Sequence, residues 1–174
     1  MMTIHAIRSA AGSSVLAGGL GGDGLRRLLE TSAGAEQPVS VLDFKDVQLV
    51  TASYFRAAFE WLWGRETCPV IANSVPDVRE EIELALKALG LRGLFGVLRG
   101  SELTDVQPAH LEPAEAATYS KVHQLRRATA GDLYRLDRRV QPTAWSNRLA
   151  LLYRQRLLQR ESVGRQVFYS VCGG

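Results

Sequence analysis

Between Glu115 and Val171 the apolar residues change their spacing in a fixed order, and that order constrains the fold more than any other feature of the chain. Glu115–Arg127 carries Ala116, Tyr119, Val122 (or His123) and Leu125 near a 3.6-residue repeat, which predicts a first helix. T-A-G-D-L follows at Thr129–Leu133. Thr129 can cap a second helix, and Asp132 three residues on completes a capping-box pattern. This helix is short, with Leu133 and Leu136 expected to face inward and an end expected near Arg138–Arg139. Gln141-Pro142-Thr143 restarts the chain, because proline suits the first turn of a helix. The spacing then predicts a third helix over Ala144–Arg156. On its wheel Trp145, Leu149 and Leu152 share one stripe, with Thr143, Ser146, Asn147, Ala150 and Arg154 across from it. Two extended runs close the segment, Leu157–Arg160 and Gln166–Ser170, joined through Glu161-Ser162-Val163-Gly164, where glycine permits a positive φ.

The charge divides along the same line. Residues 1–120 hold 10 Lys/Arg against 15 Asp/Glu, whereas residues 121–174 hold 11 against 3 (Asp132, Asp137 and Glu161). The overall formal charge of +3 hides a split of −5 and +8. A charge run alone is commonly a solvated face. Joined to a helix with an apolar back and a small, polar, basic front, it describes a surface that duplex DNA accepts.

T-A-G-D-L, then P-T-A-W-S-N-R-L-A-L-L at Pro142–Leu152, then L-L-Q-R-E-x-x-G-R-Q-V-F-Y at Leu157–Tyr169, resembles the winged helix-turn-helix regulators of bacteria over about the last 50 residues. Arg156 departs from the pattern, since such proteins carry glycine between the third helix and the wing. The resemblance implies that the third helix enters the major groove and that the wing follows the backbone. Thr143, Ser146 and Asn147 are then candidates for base edges, and Asn147 could pair with adenine. Arg138, Arg139, Arg154 and Arg165 are candidates for phosphate, with Arg160 near the wing tip and Gln141 and Arg148 completing the expected DNA-binding set. The competing use of such a domain is protein docking.

The first hundred residues read differently. Val39–Phe44 is a buried-strand candidate after the turn-like Ala33–Pro38, and Phe55, Phe59 and Leu62 fall on one helical stripe from a start near Ala52–Ser53. A second strand, Pro69–Ala72, leads through Asn73-Ser74-Val75-Pro76 into a helix over Asp77–Leu89, striped by Val78, Ile82, Ala85 and Leu89. An earlier helix, Gly24–Thr31, offers Leu25, Leu28 and Leu29. Strand, helix, strand, helix predicts an α/β layer with a mixed or parallel sheet. L-D-F-K-D-V-Q-L-V-T-A-S-Y-F at Leu42–Phe55 and V-I-A-N-S-V-P-D-V-R-E-E-I at Val70–Ile82 resemble the STAS-like domains, relatives of anti-sigma-factor antagonists. That family phosphorylates a serine where this chain has Ala52, with Thr51 at the preceding acidic position and Ser53 one residue later. The resemblance implies a fold and a habit of binding ligands or partners more than a phosphorylation switch, and Ser53 is expected to help cap its helix.

Other chemistry is thin. Gly19-Leu20-Gly21-Gly22-Asp23-Gly24 matches G-x-G-x-x-G, with Asp43 ending a strand 19 residues on. The leading strand at Val15–Leu16 is short and the chain lacks room for a second mononucleotide half, so a flexible turn opening a helix is the reading, and no cofactor is expected. His5, His110 and His123 are scattered, and Asp43 and Asp46 suit a turn better than acid/base work. Cys68 and Cys172 fit neither a disulfide framework nor a metal set and are expected as reduced thiols. No run approaches the roughly 18–20 apolar residues of a membrane span, and Met1–Ala11 lacks the apolar core of a secretory signal.

The reading is an α/β STAS-like domain over 1–105, a link near Glu102–Pro113, and an α+β winged helix-turn-helix over 113–174. The expected protein is a cytoplasmic, non-enzymatic bacterial transcriptional regulator. It binds double-stranded DNA without a cofactor, is homodimeric, and uses its first domain for dimerisation or for sensing a partner or ligand. A protein–protein interaction switch resembling an anti-sigma-factor antagonist is the alternative; a nucleotide-dependent enzyme ranks last.

Overall fold

A computed structural model of the chain describes residues 1–32 and 37–173. Among them it is mixed α/β, with seven helices, and it divides into two compact units, Met1–Ala109 and His110–Gly174.

Unit 1 is built on a five-stranded mixed sheet in the order β1-β3-β5-β6-β7. The strands are β1 (Met2–Ala6), β3 (Val39–Asp43), β5 (Cys68–Ala72), β6 (Leu94–Arg99) and β7 (Glu102–Pro108). The first four run parallel in register, with Ile4 beside Val41 and Val41 beside Val70, and β7 returns antiparallel to β6. Every residue of β5 and the first four of β3 are buried, which explains why both read as apolar runs without alternation. A two-stranded parallel pair, β2 (Val15–Leu16) with β4 (Leu49–Val50), lies outside this sheet.

Because the parallel strands are added in one direction, right-handed crossovers put their helices on one face. The core there joins Leu42, Ile71 and Phe95 of the sheet to α2 (Gly19–Ser32), α3 (Ala52–Phe59) and α4 (Pro76–Ala88). Phe44, Phe55, Phe59 and Trp63 form its aromatic centre, with successive ring centroids 5.2–6.5 Å apart. Leu62 joins that core from a short 3-10 turn (Glu60–Gly64) beyond α3.

Several expectations are corrected. The glycine-rich segment is the first half of helix α2 rather than a turn. Added Cβ atoms show why: at Gly22 one would lie 2.6 Å from the Tyr54 carbonyl oxygen and 2.8 Å from Ala57 Cβ, and at Gly21 one would lie 3.0 Å from the Tyr54 ring. The glycines let α2 and α3 approach backbone to backbone. Leu25 and Leu29 are buried on α2, but Leu28 is 60% exposed, because the helix turns it away from the Leu25/Leu29 line. Leu86 takes the buried place expected of Leu89, which ends half-buried at the α4 C-terminus. The link expected from Glu102 is strand β7 instead. The first eleven residues contain β1 and α1 (Ile7–Ala11), neither of which was expected. Of the turn expected at Ala33–Pro38, Ala33–Glu36 lie outside the described residues.

In unit 2, α5 (Pro113–Leu125) is followed by β8 (Arg127–Ala128), α6 (Ala130–Leu136), α7 (Pro142–Arg154), β9 (Leu158–Val163) and β10 (Gln166–Val171). The three strands form an antiparallel sheet in the order β8-β10-β9. Leu133, Trp145, Leu149, Leu152, Leu157 and Leu158 are fully buried. Leu136 is 51% exposed, against expectation, since α6 ends there and Asp137 turns to extended backbone. On α5 the buried positions are Glu115, Thr118, Tyr119 and Val122, while Ala116 and His123 are exposed.

Neither cysteine carries a free thiol, which corrects the expected reduced pair.

Candidate nucleic-acid interface

The turn from α6 to α7 is fixed by local bonds. Thr129 Oγ1 accepts from the Asp132 amide, and the Asp132 carboxylate accepts from both the amide and the hydroxyl of Thr129. This is the capping box the sequence predicts. These bonds, those from Thr129 first, hold the Asp132 carboxyl below its usual range, with Arg135 adding to the effect. At the far end the indole of Trp145 donates to the Asp137 carbonyl at 3.3 Å, pinning the start of α7 to the end of α6.

Helix α7 begins with Gln141 as N-cap and Pro142 in the first turn. Burial of Trp145, Leu149 and Leu152 turns Thr143, Asn147 and Arg154 to solvent on the opposite side, with Ser146 exposed beside them. Arg148 is half-buried, its guanidinium 5.2 Å from the Trp145 ring centroid. It therefore lies on the flank of the helix, off the row formed by Thr143, Asn147 and Arg154.

The hairpin is longer and tighter than expected. β9 extends through Val163, Val163 pairs with Gln166, and the loop is the two residues Gly164-Arg165 with Gly164 at φ +60°. Glycine at the first position of a two-residue hairpin loop matches strand twist. Arg160 lies over Tyr153 of α7 at 5.8 Å, and Tyr153 meets Tyr169 edge-on, so the base of the hairpin is keyed to α7.

Helix α7 ends in a Schellman pattern. The Leu157 amide donates to the Leu152 carbonyl at 3.0 Å and the Arg156 amide to Tyr153 at 2.9 Å, while Leu152 and Leu157 are both fully buried. Arg156 sits at φ +61°, the position that favours glycine.

The cations divide by partner. Arg138, Arg154 and Arg165 are exposed and have no ion pair among the described residues. Arg139 also faces solvent, but the Asp137 carboxylate accepts from its Nε, its Nη2 and its amide. Arg139 first, and Lys121 at 3.8 Å with it, hold the Asp137 carboxyl down to about 2. Arg139 is thus part-neutralised before any ligand arrives. Sequence reasoning missed Arg127, which stacks on Phe168 at 3.8 Å and pairs with Glu161 at 2.7 Å on the outer face of the hairpin. Its strand β8 is two residues long, too short for a periodicity to reveal.

Asp43 accepts from the Lys45 amide and from Asn73 Nδ2 at 2.9 Å. Asn73, at φ +57°, both donates to and accepts from the Leu98 backbone, so the pair ties the ends of β3, β5 and β6 together. Thr51, not Ser53, caps α3: its hydroxyl accepts from the Tyr54 amide and lies 3.2 Å from Ser53 Oγ. An open cleft of about 640 Å³ is lined by Arg26, Arg56, Asp23, Glu60, Trp61 and Leu89 among others. It carries two cations and two carboxylates, so it has no net sign among these residues. Burial pushes the Tyr119 hydroxyl of α5 up to about 12, leaving it neutral. Among the described residues no group of three His, Cys, Asp or Glu could hold a metal ion, and no helix is long and apolar enough to cross a membrane. No family model, curated protein or solved structure gives a significant match to this chain.

Proposed function

We propose that this protein is a bacterial transcriptional regulator that binds double-stranded DNA through unit 2, a winged helix-turn-helix. Unit 1 is a STAS-like α/β domain that dimerises or senses a partner or ligand. The assignment includes no enzymatic activity and places the protein with its DNA in the cytoplasm.

One observation carries the reading. α7 turns Thr143, Asn147 and Arg154 outward in one row, on a unit that also presents an exposed two-residue hairpin tip and holds 11 Lys/Arg against 5 Asp/Glu. Unit 1 holds 10 against 13. Short polar side chains with a basic end suit the major groove, and a narrow hairpin led by Gly164-Arg165 suits the flanking backbone. Arg138, Arg154 and Arg165 are the best phosphate ligands because no described carboxylate pairs with them. Arg139 contributes less, since a phosphate must compete with Asp137.

The test is a gel shift of the full chain on random duplexes across a salt series. Binding should fall steeply as salt rises, because each neutralised phosphate releases counterions. Absence of a shift at low salt overturns the proposal.

A further inference from the structure

Two strands end the sheet of unit 1, and they are finished differently. β7 carries the devices that blunt an edge: Glu102 at its start, a register break opposite Phe95–Val97, Asp105 at φ +54°, and Pro108, which has no N–H, at its end. β1 has none of them. Its sequence Met2-Thr3-Ile4-His5-Ala6 contains no Lys, Arg, Asp, Glu, Pro or Gly, no residue of it has a positive φ, and Ile4 is 39% exposed. Only β3 pairs with it among the described residues, so the backbone donors and acceptors of its outer edge have no strand partner there.

We propose that β1 docks on the β1 strand of a second copy of this chain, antiparallel about a two-fold axis at Ile4. This deepens the dimerising role given to unit 1 above. The strand is self-complementary in that register. Ile4 opposes Ile4 of the second copy, Met2 opposes Ala6 and Thr3 opposes His5, so one face is apolar and the other pairs a hydroxyl with an imidazole. No like charges meet, which is what an edge must avoid if it is to pair with itself. The half-buried His5 is pushed below its usual range by burial, so the imidazole is uncharged at neutral pH. Two five-residue strands bury less surface than a standard stable interface, so the dimer should be weak and its population should depend on concentration.

Three proteins test this. Wild-type protein should show a mass that rises with concentration in sedimentation equilibrium. Ile4→Lys, at an exposed side chain, should hold it at one chain with an unchanged circular dichroism spectrum. Ile4→Cys should form a disulfide-linked dimer under mild oxidation, because opposed residues of an antiparallel pair lie about 4.5–5.5 Å apart and neither native cysteine offers a free thiol. Val75→Cys, 44% exposed at the start of α4, should remain single at the same concentration. A wild-type mass fixed at one chain overturns the proposal. So does a dimer that Ile4→Lys leaves intact, or an Ile4→Cys protein that crosslinks no more than Val75→Cys. These readouts need no DNA, so failure of the DNA-binding assignment is scored separately.

Discussion

Arg156 and Gly90 occupy the same place in two helix ends. After α4 the Gly90 amide donates to Lys87 and the Leu91 amide to Leu86. After α7 the Arg156 amide donates to Tyr153 and the Leu157 amide to Leu152. The two residues share a left-handed backbone, φ +68° and +61°. One helix uses the residue that adopts this conformation without strain, and the other uses an arginine whose guanidinium lies 5.4 Å from the Tyr153 ring centroid.

The left-handed conformation costs a non-glycine residue about 1–2 kcal/mol, and glycine returns about 0.4–1 kcal/mol of that through the entropy of the unfolded chain. Arg156→Gly should therefore stabilise the protein by up to about 1 kcal/mol, and Gly90→Ala should destabilise it by about 1 kcal/mol. Urea unfolding reads both. A destabilised Arg156→Gly would mean that the cation over Tyr153 outweighs the backbone strain.

Gly22 and Gly24 stand two residues apart on α2 in opposite surroundings. A Cβ at Gly22 meets the α3 backbone, whereas one at Gly24 meets nothing within 4 Å. Gly22→Ala should cost about 1–3 kcal/mol through overpacking. Gly24→Ala should gain up to about 1 kcal/mol in helix propensity. Equal effects at the two sites would sink the close-approach account of the glycine run.

Asp132 links pH to the stability of α6. Its carboxyl is held below the ordinary 3.8, so the folded state favours the ionised form. That contribution is fully present above the ordinary value and is lost as pH falls through the depressed one. Unfolding midpoints of wild-type and Asp132→Asn protein should differ at pH 6 and converge at the acid end. A gap that stays constant across the range would assign the effect to packing instead.

Asn147 and Arg165 should separate reading from holding. On a site selected from random duplexes, Asn147→Ala should lose roughly 1–3 kcal/mol of discrimination while non-specific binding persists. Arg165→Ala should weaken all duplexes alike and lower the salt slope by about one unit. An Asn147→Ala protein with unchanged affinity and preference rules out α7 as the reading helix.

Local chemistry in the sequence determined much of unit 2. The Thr129/Asp132 capping box, Pro142 opening α7, the Trp145/Leu149/Leu152 stripe and Gly164 in the hairpin loop depend on neighbours within a few residues, so a linear reading finds them. The same holds for the apolar runs of β3 and β5 and for the Phe55/Phe59 stripe. Only the tertiary structure decided the rest. The G-x-G-x-x-G spacing fits a phosphate loop and a close helix contact equally well, and the approach of Tyr54 and Ala57 selects the contact. β1 exists because β3 supplies its ladder: the alternation of Met2–Ala6 is only five residues long, and a parallel edge strand takes its register from a partner 37 residues away. Arg127 gains its place from Phe168 and Glu161, more than 30 residues on. Pairings of this kind are made by the packed chain, and no window of sequence contains them.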